Sequence, residues 1–289
     1  MIIVKLQGGL GNQMFQYALG RNLSLIHNVP FKIDYSYLKT SNQSNRSFKL
    51  DGFQIRTEEA TQKEVTSYTG LNQKILDRFR TSSNKKHIKE SFHGFNEYVL
   101  RRGDGYFDGH WNMQSEKYFH PNETAIRKDF QLTKPFGADA QKIAETIAKE
   151  PASVSLHIRR GDYVSISKVS EVHGVLPLSY YETACEKILD KFPNAHFFIF
   201  SDDIAWAKEN FPNKYRVSFV SDPEITDHEE LILMSMCLHN IIANSTFSWW
   251  GAWLNQNPEK IVVAPTPWFQ SSTHNTDNIV PDNWWKIKI

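Results

Sequence analysis

The sequence predicts an α/β protein built from two parallel sheets wound with helices. Three observations carry that prediction: strand-length apolar runs in the C-terminal half, helix-like stretches between them, and a strand, glycine turn and helix at the start. Strands buried on both faces read as unbroken apolar runs, and their alternation with helices marks a parallel sheet.

Taken in order, residues 2–6 form the first strand. Gln7-Gly8-Gly9-Leu10-Gly11 follows as a tight turn, because glycines let the backbone bend sharply. Residues 12–26 read as a helix with Met14, Ala18 and Leu25 facing inward, and 31–34 as a second strand. From 35 to 130 the pattern is weaker, with a polar, basic loop at 81–86. Residues 133–139 contain Pro and Gly and mark a junction, after which a helix at 140–149 leads into the second half. There, strands are expected at 153–159, 196–201, 216–221, 240–244 and 260–264, and helices at 178–191, 204–210, 227–239 and 247–255. The architecture that follows is two Rossmann-like domains, 1–139 and 140–289, facing a central cleft.

A chain of 289 residues, 40% hydrophobic, is long enough to bury such cores. Its net charge of +1 gives no general drive toward nucleic acid or acidic membranes, although a local basic pocket is compatible with it. The two cysteines, Cys185 and Cys237, lie in apolar helix-like surroundings, which argues against a disulfide scaffold and a thiolate metal site. The apolar start breaks at Lys5 and reads as a strand, not a signal peptide; no segment reaches bilayer length. A reducing, cytoplasmic setting is expected.

The stretch Ser155-Leu156-His157-Ile158-Arg159-Arg160-Gly161-Asp162 is the most informative in the chain. Along it Val154, Leu156 and Ile158 share one face, Ser155, His157 and Arg159 the other, and Arg160 points away. Arginine at the end of a core strand suits an anion, because its planar fork of donors matches a diphosphate. The alternative is a structural Arg–Asp ion pair. Ligands of wound parallel sheets bind at the carboxyl ends of the strands. Arg159, Ser201-Asp202-Asp203 and Asn244-Ser245-Thr246 all fall there. The aspartates either accept hydrogen bonds from ribose or a purine edge, or cap the next helix. Ser245, Thr246 and Phe247 open a helix, which makes either a phosphate site or an ordinary cap. The glycine turn is no P-loop, and Met14 stands where G-x-G-x-x-G needs its last glycine. It reads as a tight turn capped by Asn12 or as a substrate loop. Histidines lack metal-site spacing, no Asp-x-Asp occurs, and there is no serine-nucleophile elbow. Six of the eight tryptophans, Trp249, Trp250, Trp253, Trp268, Trp284 and Trp285, crowd the C-terminal part, where aromatics either stack on sugars or fill a core.

Four stretches together resemble the α-1,2-fucosyltransferases of glycosyltransferase family eleven: Gly8 to Ala18, His157 to Tyr163, Phe200 to Asp203, and Ser245 to Ala252. Gln114-Ser115-Glu116-Lys117-Tyr118-Phe119 is similar to bacterial members, and the motifs' order and spacing cover nearly the whole chain. The resemblance implies a GT-B fold and inverting, metal-independent transfer of L-fucose from GDP-fucose to O2 of a terminal β-galactoside. It implies no cofactor beyond that donor, and an oligosaccharide or lipid-linked glycan as acceptor. The lack of an N-terminal anchor suits a bacterial cytoplasmic enzyme of surface-polysaccharide synthesis, peripheral at the inner face of the membrane. Arg159 is the expected diphosphate ligand, matching the first arginine of the family motif. His157, Asp203, Glu230, Ser245, Thr246 and Phe247 are further candidates for the nucleotide. No residue is named as the base; Asp162, Glu171, His173 and Asp108 are candidates, and Asn12 stands on the acceptor side or meets the donor. Transfer of another GDP-sugar or in another linkage, such as α-1,6-fucosyl, and non-catalytic nucleotide-sugar or glycan binding stay as alternative readings. So does an unrelated, metal-dependent GT-A enzyme.

Overall fold

A computed structural model of the chain describes residues 1–40, 47–81, 84–89, 95–109, 113–165, 174–270 and 278–289, apart from the side chains of Thr40, Asp162 and Ser165. The chain divides into two compact units. One is Met1–Thr133 with Asp277–Pro281, and the other is Lys134–Thr276 with Asp282–Ile289. The change from one unit to the next comes six residues before the expected 139/140 boundary, and a short C-terminal segment returns to the first unit.

The first unit holds a five-stranded sheet in the order β3-β2-β1-β5-β4, every pairing parallel. Its strands are β1 (Ile2–Lys5), β2 (Phe31–Asp34), β3 (Glu58–Glu59), β4 (His87–Ile88) and β5 (Gly105–Phe107). The helices are α1 (Leu10–His27), α2 (Ser36–Thr40), α3 (Gln62–Thr69), α4 (Leu71–Arg78) and α5 (Glu123–Asp129). The long helix α1 is buried from Leu10 through Gly20. Its Tyr17 hydroxyl donates to Asp129 Oδ2 at 2.8 Å, and Arg21 Nε reaches the same oxygen at 2.8 Å. A carboxylate this deep persists only because several donors meet it. Leu25, expected to face inward, is 38% exposed, because α1 runs on past the sheet that buries its earlier turns.

The second unit holds six parallel strands in the order β11-β10-β9-β6-β7-β8. They are β6 (Ser153–Ile158), β7 (His196–Ser201), β8 (Val217–Phe219), β9 (His239–Ile241), β10 (Val262–Thr266) and β11 (Trp285–Lys288). Around them lie α6 (Ala138–Lys149), α7 (Gly161–Ser165), α8 (Leu178–Leu189), α9 (Ile204–Asn210), α10 (Asp227–Met236) and α11 (Thr246–Leu254). The predicted alternation along β6 holds. Val154, Leu156 and Ile158 join a core with Tyr180, Ala184 and Ile188 of α8, and Ser155 accepts from Asn240 Nδ2 at 2.7 Å on the other face. Phe198 and Phe200 of β7 pack with Leu233 and Met234 of α10.

Four of the C-terminal tryptophans pack together in this unit. Trp249 and Trp250 are fully buried, their rings 5.1 Å apart, with Trp253 and Trp284 against them. Cys185 and Cys237 are both buried and unbridged. Among the described residues no helix is long and apolar enough to cross a membrane, and no group of three or more His, Cys, Asp and Glu is placed to hold a metal ion.

Candidate active site

In the second unit the strand order reverses direction between β6 and β9, the point where wound sheets open a crevice at their carboxyl edge. The chain leaves β6 at Arg159 and leaves β9 toward Ser245 at this same edge. Arg159 Nη1 lies 3.0 Å from Asp202 Oδ2, and its guanidinium stands 5.5 Å from the Tyr163 ring centroid. The other carboxylate oxygen of Asp202 accepts the backbone N–H of Arg160 at 2.8 Å. Asp202, just past the end of β7, therefore fixes both the backbone and the guanidinium of the neighbouring strand end. Gly161 makes room for it: a Cβ there would sit 2.3 Å from Asp202 Oδ2.

Arg160 turns the other way, as the alternation predicts. Its guanidinium lies 3.7 Å from the Trp206 ring centroid, and its Nε is 3.5 Å from Asp203 Oδ2. Asp203 Oδ1 accepts the Trp206 N–H at 3.2 Å, so this residue caps α9. Asp203 was a candidate for ribose or guanine; the cap and Arg160 engage both of its oxygens. One residue earlier in the chain, Asp202 takes the position beside Arg159.

His157 shares the Arg159 face but is only 3% exposed, its ring packed against Phe247 at 5.6 Å. Burial, with the Arg159 charge beside it, pushes its imidazolium down to about 3. The ring supports the strand end from beneath, and its expected contact with phosphate or ribose stays a proposal for the donor-bound enzyme. Ser245 caps α11, its hydroxyl accepting the Phe247 N–H at 3.3 Å. The cap reading of this turn holds. The cap orders the helix start, and Thr246 and Phe247, half-buried, stand at the positive end of the dipole.

Glu230, in the first turn of α10, is half-buried. Burial pushes its carboxyl up to about 7 against the lowering effect of a hydrogen bond with Ser221, and the Asp227 and Asp202 charges add to the rise. An unfolded chain titrates this group near 4.5, so the native state loses stability as pH rises from 4.5 to 7 and carries that loss above it. Melting curves of the unliganded protein should show it. Glu230→Gln gains nothing at pH 4.5 and ~5 °C above pH 7. A difference that stays constant across this window would remove the buried proton from Glu230.

The first unit has its own reversal between β1 and β5. There Gly8 adopts φ +79°, and a Cβ on it would meet Asn12 Nδ2 at 2.4 Å. The helix cap is Gly9, not Asn12, because α1 starts at Leu10 and Asn12 already lies within its first turn. Asn12 Oδ1 accepts from Gln114 Nε2 at 3.1 Å, Gln13 Nε2 donates to the Gly8 carbonyl at 2.9 Å, and Gln16 accepts the Gln7 N–H at 2.8 Å. The polar residues of this motif hold the turn in shape. At the end of β5, Asp108 Oδ1 accepts from Gln7 Nε2 at 2.9 Å and lies 3.2 Å from Lys5 Nζ; His87 Nε2 is 3.6 Å from Oδ2. Burial works to raise the Asp108 carboxyl, but His87 and Lys5 outweigh it and hold it near 2. An Asp108 so strongly paired is a weak base. The Asp162 side chain, Glu171 and His173 lie outside the described residues.

Sequence reasoning passed over Asp202 as the partner of Arg159, and Lys5, Gln7 and His87 around Asp108. For the latter three, only their register at the carboxyl ends of β1 and β4 could have signalled it.

The family model described as glycosyl transferase family 11 matches residues 1–288. An alpha-1,2-colitosyltransferase from Escherichia coli is 34% identical over 294 residues, covering 100% of this chain and 99% of the relative. The O-antigen biosynthesis glycosyltransferase WbnK, also from Escherichia coli, is 36% identical over 298 residues, covering 96% and 98%. Among solved structures, fucosyltransferase NodZ from Bradyrhizobium aligns with a TM-score of 0.51 at 13% identity, over 88% of this chain and 91% of that one. Arabidopsis thaliana FUT1 in complex with GDP aligns at 0.51 and 10% identity, over 97% and 72%. At such identities these two likenesses speak for the fold alone. With a family match from end to end and two wound parallel sheets of the GT-B type, the chain belongs to glycosyltransferase family 11 and is a glycosyltransferase.

Proposed function

We propose that the chain transfers L-fucose from GDP-β-L-fucose to O2 of a terminal β-galactoside, inverting the anomeric carbon and using no metal. The observation that carries this reading is Arg159 at the β6/β9 reversal, oriented by Asp202 and flanked by the start of α11. As the bond from C1 to the diphosphate oxygen breaks, negative charge grows on the leaving GDP. A preorganised guanidinium and a helix N-terminus stabilise that charge without reorganising. The second unit takes the donor; the first, with Asn12, Gln7 and Asp108 at its own reversal, takes the acceptor. Its strongly paired Asp108 fits a transition state of oxocarbenium character, in which the acceptor proton leaves late.

The colitosyltransferase relative supports a second reading, with GDP-colitose as donor. Colitose differs from fucose by one missing hydroxyl, and a site that hydrogen-bonds that hydroxyl rejects the deoxy sugar strongly. The test is GDP release by the purified chain with a panel of GDP-sugars and β-galactosides, followed by linkage analysis of the product. The expected result is α-1,2-linked product from GDP-fucose at full rate in EDTA. A 1,6-linked product, a preference for GDP-colitose, or a rate abolished by EDTA would each overturn the corresponding part. Donor binding without any GDP release would make the chain a binding protein.

A further inference from the structure

Helix α4 is built inside out. Its single buried residue is Asp77, while Leu71, Ile75 and Leu76 are 74%, 51% and 52% exposed, and Phe79 just after it is 84% exposed. At helical spacing Leu71 and Ile75 lie one above the other, with Leu76 widening the stripe and Phe79 at its end. Asp77 is the root that holds this orientation. Its oxygens accept from the backbone N–H groups of Lys86 and His87 and from the side chains of Gln73 and Arg80. An acid anchored inward by four donors forces the opposite, apolar face of the helix toward solvent. Scattered exposed apolar residues need no explanation, but a contiguous stripe on one helix does.

The charge around the stripe says what covers it. Residues 71–89 carry six Lys and Arg (Lys74, Arg78, Arg80, Lys85, Lys86 and Lys89) against the single Asp77, a net +5 in a chain whose total is +1. Lys74, Arg78 and Lys89 are exposed, and Asp77 is buried. A second copy of the chain docking face to face would bring these cations against their own equivalents. An apolar stripe flanked by cations instead matches the boundary of a bilayer with anionic headgroups.

We propose that α4 and the basic segment after it form a membrane-docking surface for anionic phospholipid. Leu71, Ile75, Leu76 and Phe79 enter the headgroup–acyl boundary while Lys74, Arg78 and Lys89 meet phosphates. Docking here would hold the enzyme at the surface where a lipid-linked glycan is presented. The surface itself does not depend on the donor or the linkage.

The test is co-sedimentation of the full chain with phosphatidylcholine vesicles, with and without phosphatidylglycerol. Binding is expected only with phosphatidylglycerol present and should fall on adding salt. Ile75→Ser/Phe79→Ser and Lys74→Glu/Arg78→Glu should each weaken it about tenfold or more. All four positions are exposed, so both variants should melt with the native protein. GDP affinity, measured in parallel, should be unchanged, and it reports on the donor reading separately. Equal binding to neutral vesicles, or variants that bind as well as the native chain, would overturn the proposal. So would a concentration-dependent dimer in sedimentation velocity that Ile75→Ser/Phe79→Ser abolishes, since the stripe would then be a self-contact.

Discussion

Arg159→Ala is expected to lower turnover about a hundredfold at saturating GDP-fucose, the loss of ~3 kcal/mol of barrier stabilisation. The fold should survive. The Arg159 and Asp202 side chains are 29% and 24% exposed, and a pair so open to water contributes no more than about 1 kcal/mol. The melting temperature should therefore move by a few degrees at most while activity collapses. Arg159→Lys keeps a charge but not the planar fork and should fall between the two. The contrast with Arg160→Ala is informative, because Arg160 lies on Trp206 and beside Asp203, on the face away from the crevice. Its removal should act through stability, by way of α9. A near-native rate for Arg159→Ala with saturating donor would place the diphosphate elsewhere.

Trp249→Ala is the second large effect, and it concerns stability. The residue has no exposed surface, and its ring contacts those of Trp250, Trp253 and Trp284 at 5.1, 6.3 and 5.5 Å. Truncating such a side chain opens a cavity that the surrounding rings cannot close, and costs about 3–5 kcal/mol. Chemical denaturation should show the loss in the midpoint with an unchanged slope. The Trp249 variant, where still folded, should keep its GDP affinity, because the ring supports α11 from behind and does not meet ligand. Weakened GDP binding with native stability would mean that the tryptophans stack on substrate after all.

The strands that were legible were those buried on both faces. The strand β7 appears at the expected residues, and β6 one residue shorter, because β-branched, aromatic and small residues dominate both runs and every position is buried. Three of the strands that were missed are too short to show a pattern, and the fourth, β11, is a four-residue alternation at the chain's end. Two of them, β3 and β4, have two residues each, β5 has three, and β11 is an edge strand paired on one side only. Two or three residues cannot show a period, and their strand character comes from a neighbour's backbone. Gln114 to Phe119, the stretch similar to bacterial family members, packs on α1: Asn22 donates to the Tyr118 carbonyl at 2.7 Å, and Gln114 to Asn12.

The sequence alone determined the fold class, the family resemblance and the placing of Arg159 at a strand end, because these depend on residue type and on the order and spacing of motifs along the chain. Only the tertiary structure decided which of two adjacent aspartates meets Arg159, that His157 is sealed under Phe247, and that α4 turns its apolar side outward. Neighbouring residues on a loop can point in opposite directions, and the direction is set by a partner from a distant part of the chain. Asp77, held by backbone N–H groups nine and ten residues further along, is the clearest example. Hydrophobic periodicity assigns the apolar face of a helix to the interior, and here a rooted carboxylate reverses that assignment.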